Sequence, residues 1–492
     1  MTLTSPEKKK IIMIIVDTLM DVTLQEALKN GKAPALQFFI ENGYKIPNLV
    51  SPFPTMSVNV DSSLLTGVYS DQHKVPGLVW FNKNENRIIN YGGNVRELFK
   101  LGLKQSMEDI FYNLNHNHLS KKHKTIHEIL KDQDLQTASI NTLMYRGNEP
   151  VQITFPFLMS MFTGMRRKIF AYAPYLFSYG AMAKLSPSKS HSFFWQKYGF
   201  NDKFSAKELQ YLIQQDMHPA FTIAYFPDLD QRIHKKGRMN SKGIEKVDKQ
   251  LQDILNTYPT WKDALTNNIW IILGDNGQAW IENDRKKALI DLRKLLQTYR
   301  IPKLRDRITS SDEVILCANE RMTFIYTLDS NRVSLEKLAK TLQNDERIDV
   351  IAWKKGNSIY VISGIQAGQI IFRPEGNFID EYGQKWSIEG DLEILDLSIK
   401  EKNIKYGTYP DALARLYTTF YSHEGDYLVV NAKPGYEFLA ESSPTHVGGA
   451  SHGGLHEQDS LVPMIVTGTD VKPKNPRIVD LKDWVLSLIK QL

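Results

Sequence analysis

"IIMIIVD", Ile11 to Asp17, is six apolar residues closed by a carboxylate. It is apolar throughout and rich in isoleucine, so it predicts a strand covered on both faces, as in a parallel sheet. Two further runs have the same form: "FTIAYFPDLD", ending at Asp228 and Asp230, and "IWIILGDNG", with Asp275 after its apolar stretch. Between them, "SKGIEKVDKQLQDILNTY" sets Ile244, Val247, Leu251, Ile254 and Leu255 at helical spacing, with Ser241 as the expected cap. Strand, helix, strand is the unit of an α/β sheet, whose ligands sit at the carboxyl ends of the strands. The expected fold class is therefore α/β, a mostly parallel central sheet with helices on both faces. Its strand-end carboxylates converge on one crevice.

The remaining chain sets the limits of that fold. Its 492 residues are enough for more than one domain, and 61 Lys and Arg stand against 55 Asp and Glu. A net charge of +6 spread this thinly argues against a stable nucleic-acid complex. The single cysteine, Cys317, excludes a disulfide framework and a thiolate cluster within the chain, so any metal falls to His, Asp, Glu or hydroxyl oxygen. The apolar run Ile11–Val16 after the basic "EKKK" is too short for a signal peptide or a membrane span, and a cytoplasmic location is expected. "FPFLMSMFTGMRRKIFAYAPYLFSYGAM", Phe155 to Met182, is apolar but broken by Arg166, Arg167 and Lys168. A buried helical insert is expected there, with a cover over an active site, contact with a partner, or peripheral contact at a membrane surface through 155–182 as the alternatives. From about 310 to 405 the pattern changes to a small α+β unit, with "RMTFIYTL" a strand, "SLEKLAKTLQ" a helix and "DVIAWKKGNSIYVISG" a hairpin. "YPDALARLYTTF" and "GDYLVVNAKPGYEF" then read as a return to the first rhythm. The expected division is a catalytic core over 1–309 with an apolar insert near 150–200, a cap-like α+β insertion over 310–405, and the second part of the core over 406–492.

Chemistry-bearing residues cluster in the same places. "DLDQRIHKKG" sets Asp230 and His234 four apart with Gly237 following, and "VGGASHGGLHEQDSLVP" carries His452 and His456 in a glycine-rich loop. With the strand-end aspartates they form the mixed carboxylate and imidazole set that zinc and manganese accept. "SPFPTMSVNVDSSLLTG", Ser51 to Gly67, holds six Ser and Thr hydroxyls. Such a stretch caps a helix, or supplies a nucleophile: a hydroxyl beside a metal needs no Ser-His-Asp triad.

The order of these motifs resembles the alkaline phosphatase superfamily, specifically its type I phosphodiesterase/nucleotide pyrophosphatase branch, over the chain outside Phe155–Met182 and 310–405. The resemblance implies an alkaline-phosphatase-like fold and a metal-binding Asp after the first strand, here Asp17. It also implies a nucleophile ten residues before the glycine of "TGVYSDQH", which places it at Ser57, with Thr55 the nearby competitor. Asp230, His234 and Gly237 fit the family's D-x-x-x-H-x-x-G motif and Asp228 does not; His452 fits the last histidine better than His456. Two divalent cations are implied, one on Asp230, His234 and His452, the other on Asp17, Ser57 and Asp275. Asn276 stands where the family has a second-site histidine. A neutral amide oxygen suits harder cations, so zinc is expected overall, with manganese or magnesium the alternatives at the second site. Leu78 stands where many relatives carry a phosphate-binding Asn, with Asn82 nearby.

The expected activity is metal-dependent hydrolysis of a small-molecule phosphoester through Ser57, of the phosphodiesterase/nucleotide pyrophosphatase kind. The alternatives are a catalytically weak metal-binding regulatory protein of the same fold, or a phosphomonoesterase or phosphonate hydrolase. Nothing in the sequence fixes the oligomeric state.

Overall fold

Alternate side chains of the strand Lys10–Val16 enter two different cores: Ile11, Met13 and Ile15 one, Ile12, Ile14 and Val16 the other. That is the double burial expected of a central parallel strand. The computed structural model describes residues 9–188 and 190–491; residues 1–8 lie outside them. Seven strands build the central sheet: β1 (Lys10–Val16), β2 (Gly43–Val50), β3 (Thr137–Ile140), β4 (Leu176–Ser178), β5 (Phe221–Phe226), β6 (Asn268–Gly274) and β7 (Leu461–Thr467). Their order is β2-β7-β6-β1-β5-β3-β4. The run β6-β1-β5-β3-β4 is parallel, and β7 is antiparallel to both its neighbours. The α/β class is as the sequence implies.

Three helices carry the site's supports. The first, α1 (Ser57–Thr66), ends at Gly67, whose φ of 69° closes the helix through its N–H to the Ser63 carbonyl. A Cβ there would also press into Lys482 at 2.9 Å. The short α2 (Asp228–Lys236) begins directly after β5, so Asp228 and Asp230 sit on a helical turn rather than at the strand end. In α3 (Lys242–Leu255), Ile244, Val247, Leu251, Ile254 and Leu255 are all buried as their spacing predicts. Ser241 occupies its N-cap but makes no side-chain cap hydrogen bond.

Two expectations need correction. The Phe155–Met182 segment is not a buried helix. Residues Glu149–Thr154 and Lys168–Ala173 form a hairpin, and the short helix Phe157–Thr163 in its connection buries none of its residues. The reason is period two: Ile169, Ala171 and Ala173 turn inward, and Lys168, Phe170 and Tyr172 turn outward. The second correction concerns Asp426–Ala432, which does not return to the central sheet. It lies between Met322–Thr327 and Ile348–Lys355, antiparallel to both, in a second, nine-stranded sheet. The second sheet therefore crosses the expected boundary at 405. An apolar run reports burial, not which sheet buries it.

Candidate active site

The carboxyl ends of β1, β5 and β6 open into a cleft of about 780 Å³, lined among others by Asp17, Ser57, Asp230, His234, Glu320 and His452. Asp17 and Asp275 follow β1 and β6, which pair in parallel, so one strand spacing sets them side by side. The Asp275 turn is fixed from below by Ser51, whose hydroxyl donates to the Asp275 carbonyl at 2.6 Å. Thr18 has a φ of 63°, uncommon for a β-branched residue, and its N–H donates to Asp275 Oδ1 at 3.0 Å.

One group of ligands is preformed. His234 Nε2 lies 3.1 Å, and His452 Nε2 3.9 Å, from Asp230 Oδ1. Each ring is oriented through its other nitrogen: His234 Nδ1 meets the Ala450 carbonyl at 2.8 Å, and His452 Nδ1 the Thr55 carbonyl at 2.7 Å. With Nδ1 donating, both Nε2 atoms point inward, and the one on His234 becomes a ligand when its proton leaves, the arrangement that orients metal-ligating histidines. The donor set therefore fits zinc or manganese.

Glu320 and His446 extend this group, and neither was foreseen. Glu320 is the first residue of the two-residue turn between Val314–Asn319 and Met322–Thr327, with a φ of 60° where such turns usually take glycine. The second sheet thus inserts a buried carboxylate into the cleft. Its oxygens lie 3.9 Å from His234 Nε2, 3.8 Å from His452 Nε2 and 3.8 Å from His446 Nδ1. His446 stacks on His234 at 4.0 Å, and its Nδ1 is 3.0 Å from Glu437. His234, Glu320 and His446 make a second triplet of ligand atoms sharing one imidazole with the first.

The carboxylates and imidazoles of this group shift one another in opposite directions. Burial alone would lower the His234 imidazole, but Asp230 and Glu320 push it up to about 10. Burial likewise opposes the ionised forms of Asp230 and Glu320, yet the neighbouring histidines hold Asp230 well below the usual carboxylate range and Glu320 at about 2. A proton on His234 balances these carboxylates; a divalent cation would take that proton's place.

Asp17, Asp61 and Asp275 form a second buried acidic group, of which Asp17 lines the cleft. Burial raises all three, and Asp275 adds repulsion at both Asp17 and Asp61. Asp61, on α1, was not singled out from the sequence, since a lone acid in a helix carries no signal. Such a cluster of buried like charges is stabilised by a cation. Asn276 is fully buried beside it, and its Oδ1 lies 3.1 Å from the Thr18 hydroxyl. That hydroxyl has one proton and a shorter contact, 3.0 Å, to Asp230 Oδ1. The Asn276 Nδ2 is buried with no partner. Turning the amide lets Nδ2 donate to Thr18 and puts the oxygen in the unpartnered position, as a neutral ligand. Gln278, also unforeseen, donates to Asp230 Oδ1 at 2.7 Å and to Thr18 Oγ1 at 3.2 Å.

Ser57 is the first residue of α1 and faces the cleft, where its hydroxyl interacts with the Asp275 carboxylate and the Tyr225 phenol. Thr55 is placed differently. It is wholly buried, and its hydroxyl accepts from the Gly453 N–H at 2.9 Å while its carbonyl holds His452. Thr55 is therefore closed to substrate and positions the histidine loop. His73, from the "TGVYSDQH" stretch, is buried against Ser63 at 3.1 Å, outside the cleft. Asp228 exchanges capping hydrogen bonds with Asp202, and His456 caps Glu457–Ser460. Leu78 lines the cleft, and Asn82 is bound up in a surface turn with Glu85.

The model of the family described as type I phosphodiesterase / nucleotide pyrophosphatase matches residues 11–362. The chain belongs to this family. No curated protein sequence matches it. Among solved structures, human ectonucleotide pyrophosphatase/phosphodiesterase 5 superposes with a TM-score of 0.56 at 12% identity, over 98% of this chain and 95% of that one. An inactive form of the murine protein, in complex with AMP, gives 0.55 at 12%, with 98% and 95% covered. Phosphonoacetate hydrolase from Sinorhizobium meliloti, in complex with phosphonoformate, gives 0.56 at 13%, with 98% and 96% covered. At these identities the neighbours establish a shared alkaline-phosphatase-type fold. Among the described residues no helix is long and apolar enough to cross a membrane.

Proposed function

We propose that this chain hydrolyses small phosphoesters with Ser57 as nucleophile, at a centre for two divalent cations. The observation that carries the reading is the place of Ser57, at the start of α1 and facing the cleft that both ligand groups line. Asp230, His234 and His452 would hold one cation, with Glu320 beside them, and Asp17, Asp275 and Asn276 the other. When bound, the cations would supply positive charge to the nonbridging oxygens and to the serine oxygen.

The chain's own groups do the rest. The Asp275 carboxylate and the Tyr225 hydroxyl orient the Ser57 hydroxyl. Ser57 stands at the N-terminal end of α1, where the helix dipole favours negative charge. Attack of Ser57 Oγ on the phosphorus of a diester breaks the bond to one alcohol, which leaves with its oxygen and takes up the serine proton, and the second ester group stays on the phosphorus now bound to Ser57. Water then attacks that phosphorus, breaks its bond to Ser57 Oγ, releases the phosphomonoester and returns a proton to the serine. Leu78, Leu143 and Phe200 form an apolar side of the cleft for the leaving group, while Lys235 brings positive charge to its lining.

The replacement of the family histidine by Asn276 favours one second reading, a weakly catalytic cation-binding protein of the same fold. A single comparison separates the two. Ser57→Ala should lose several orders of magnitude in turnover of bis-p-nitrophenyl phosphate, the scale on which catalytic residues act. Thr55→Ala removes the hydroxyl's two buried hydrogen bonds, to the Gly453 N–H and the Gly454 carbonyl, worth about 1 kcal/mol each, but keeps the backbone carbonyl that holds His452, so most turnover should remain. Equal, mild losses would favour the binding protein.

A further inference from the structure

Residues 150–201 contain no Asp or Glu but six Lys and Arg, in a chain where acids and bases are otherwise nearly balanced. The same 52 residues carry ten of the eighteen large apolar side chains exposed among the described residues. Phe162 and Phe170 are each 73% exposed. Exposed aromatics scattered singly need no explanation, but a concentration of them does.

The local structure shows why they face outward. In the hairpin of Glu149–Thr154 and Lys168–Ala173, the small residues Ala171 and Ala173 pack inward on Phe111, Tyr145 and Phe155. The large ones, Phe170 and Tyr172, are turned to the surface with Lys168 between the same faces. The connecting helix Phe157–Thr163 adds Phe157, Met161 and Phe162, and Arg166 and Arg167 follow it, both exposed. Along Lys168–Ala173 the alanines face the core and the two aromatics face outward, although Ile153 and Phe155 of the same segment are buried. Apolar rings that would enter an acyl boundary, interleaved with cations that would meet headgroups, are the composition of an interfacial membrane contact.

We infer that the hairpin and its connecting helix dock this protein on an anionic lipid bilayer, with Phe157, Phe162, Phe170 and Tyr172 inserted and Arg166, Arg167 and Lys168 on the headgroups. The charge argues for lipid rather than for a second copy of the chain: a twofold contact through this face would bring two basic surfaces together, with Glu149, at the hairpin's end, already paired with Lys131. The docking unit also reaches the cleft, since Phe200, which lines it, packs on Tyr179 within the same apolar cluster.

The test is sedimentation of the full chain with vesicles of phosphatidylcholine alone or with about one-third phosphatidylglycerol. Wild type should sediment with the anionic vesicles, stay in solution with the neutral ones, and be released by salt. Arg166→Glu with Arg167→Glu should lower partitioning by about 30-fold or more, at about fivefold per lost basic residue. Phe162→Ser with Phe170→Ser should also release the protein, and both exposed pairs should melt as wild type does. Ser57→Ala should bind vesicles normally, which separates this inference from the proposed catalysis. Wild type in the supernatant with both vesicles, or variants that bind as wild type, would overturn it. So would a wild-type dimer that Phe162→Ser with Phe170→Ser disperses, because the face would then be covered by a second copy.

Discussion

Asp275→Asn should leave the cation-free protein more stable and the cation-loaded protein less so. In the wild type, Asp17, Asp61 and Asp275 are buried together and burial with mutual repulsion raises their carboxyl groups. Asparagine keeps an acceptor for the Thr18 N–H at 3.0 Å and the Asn276 N–H at 2.8 Å, so the turn is retained while one like charge goes. The same change removes a ligand. A cation at a hundred times its dissociation constant adds about 2.7 kcal/mol. For 492 residues unfolding as one unit, the entropy at the midpoint is about 1 kcal/mol per degree, so each filled site raises the melting temperature by about 2.6 °C. Two sites give about 5 °C in the wild type, and the variant should keep about half. The assay is a melt in chelator and again with excess zinc or manganese. A variant that melts below wild type in chelator and gains the full increment with cation would refute both the repulsion and the second site.

Asn276→His restores an imidazole to the second group, and zinc retained after dialysis should rise; unchanged retention would mean that this side chain does not face the cation. Glu320→Gln keeps an acceptor for the Ser451 hydroxyl now held at 2.7 Å, and zinc affinity should fall about 10- to 100-fold, as when an outer partner is lost. Wild-type affinity would remove Glu320 from the centre. Burial lowers His73 to about 3, so the folded state stays neutral there while the unfolded state gains a proton below its ordinary pKa. Stability is therefore lost as pH falls from about 6.5 toward 3, by about 2 kcal/mol at about pH 5. His73→Gln should shrink the difference between melting temperatures at about pH 7.5 and 5 by about 2 °C, and an unchanged difference would contradict the burial argument.

Ile11–Val16, Phe221–Phe226 and Asn268–Gly274 were legible because both their faces are buried, which leaves an unbroken apolar signature. Asp17, Asp230, His234, Asp275 and His452 were legible through spacing, since each follows such a strand or stands in a motif. Glu320 was not: it reaches the cleft from another sheet, and its hairpin turn gives no hint of what lies opposite. His446 stands six residues before His452, and that second histidine in the same loop was the one available signal. Thr18 and Gln278 act through a hydrogen-bond network that no periodicity encodes. The outward aromatics of the hairpin are not legible from apolar content, because the alternation with alanine decides which side faces the core.

On the proposed function, phosphoester hydrolysis in this cleft depends on divalent cations held by its carboxylates and histidines. The most direct measurement is turnover of bis-p-nitrophenyl phosphate by chelator-stripped protein, with its metal content determined, before and after zinc or manganese is returned. The account predicts no turnover when stripped, and recovery as about one to two cations bind per chain. Undiminished turnover by protein free of bound cation would contradict it.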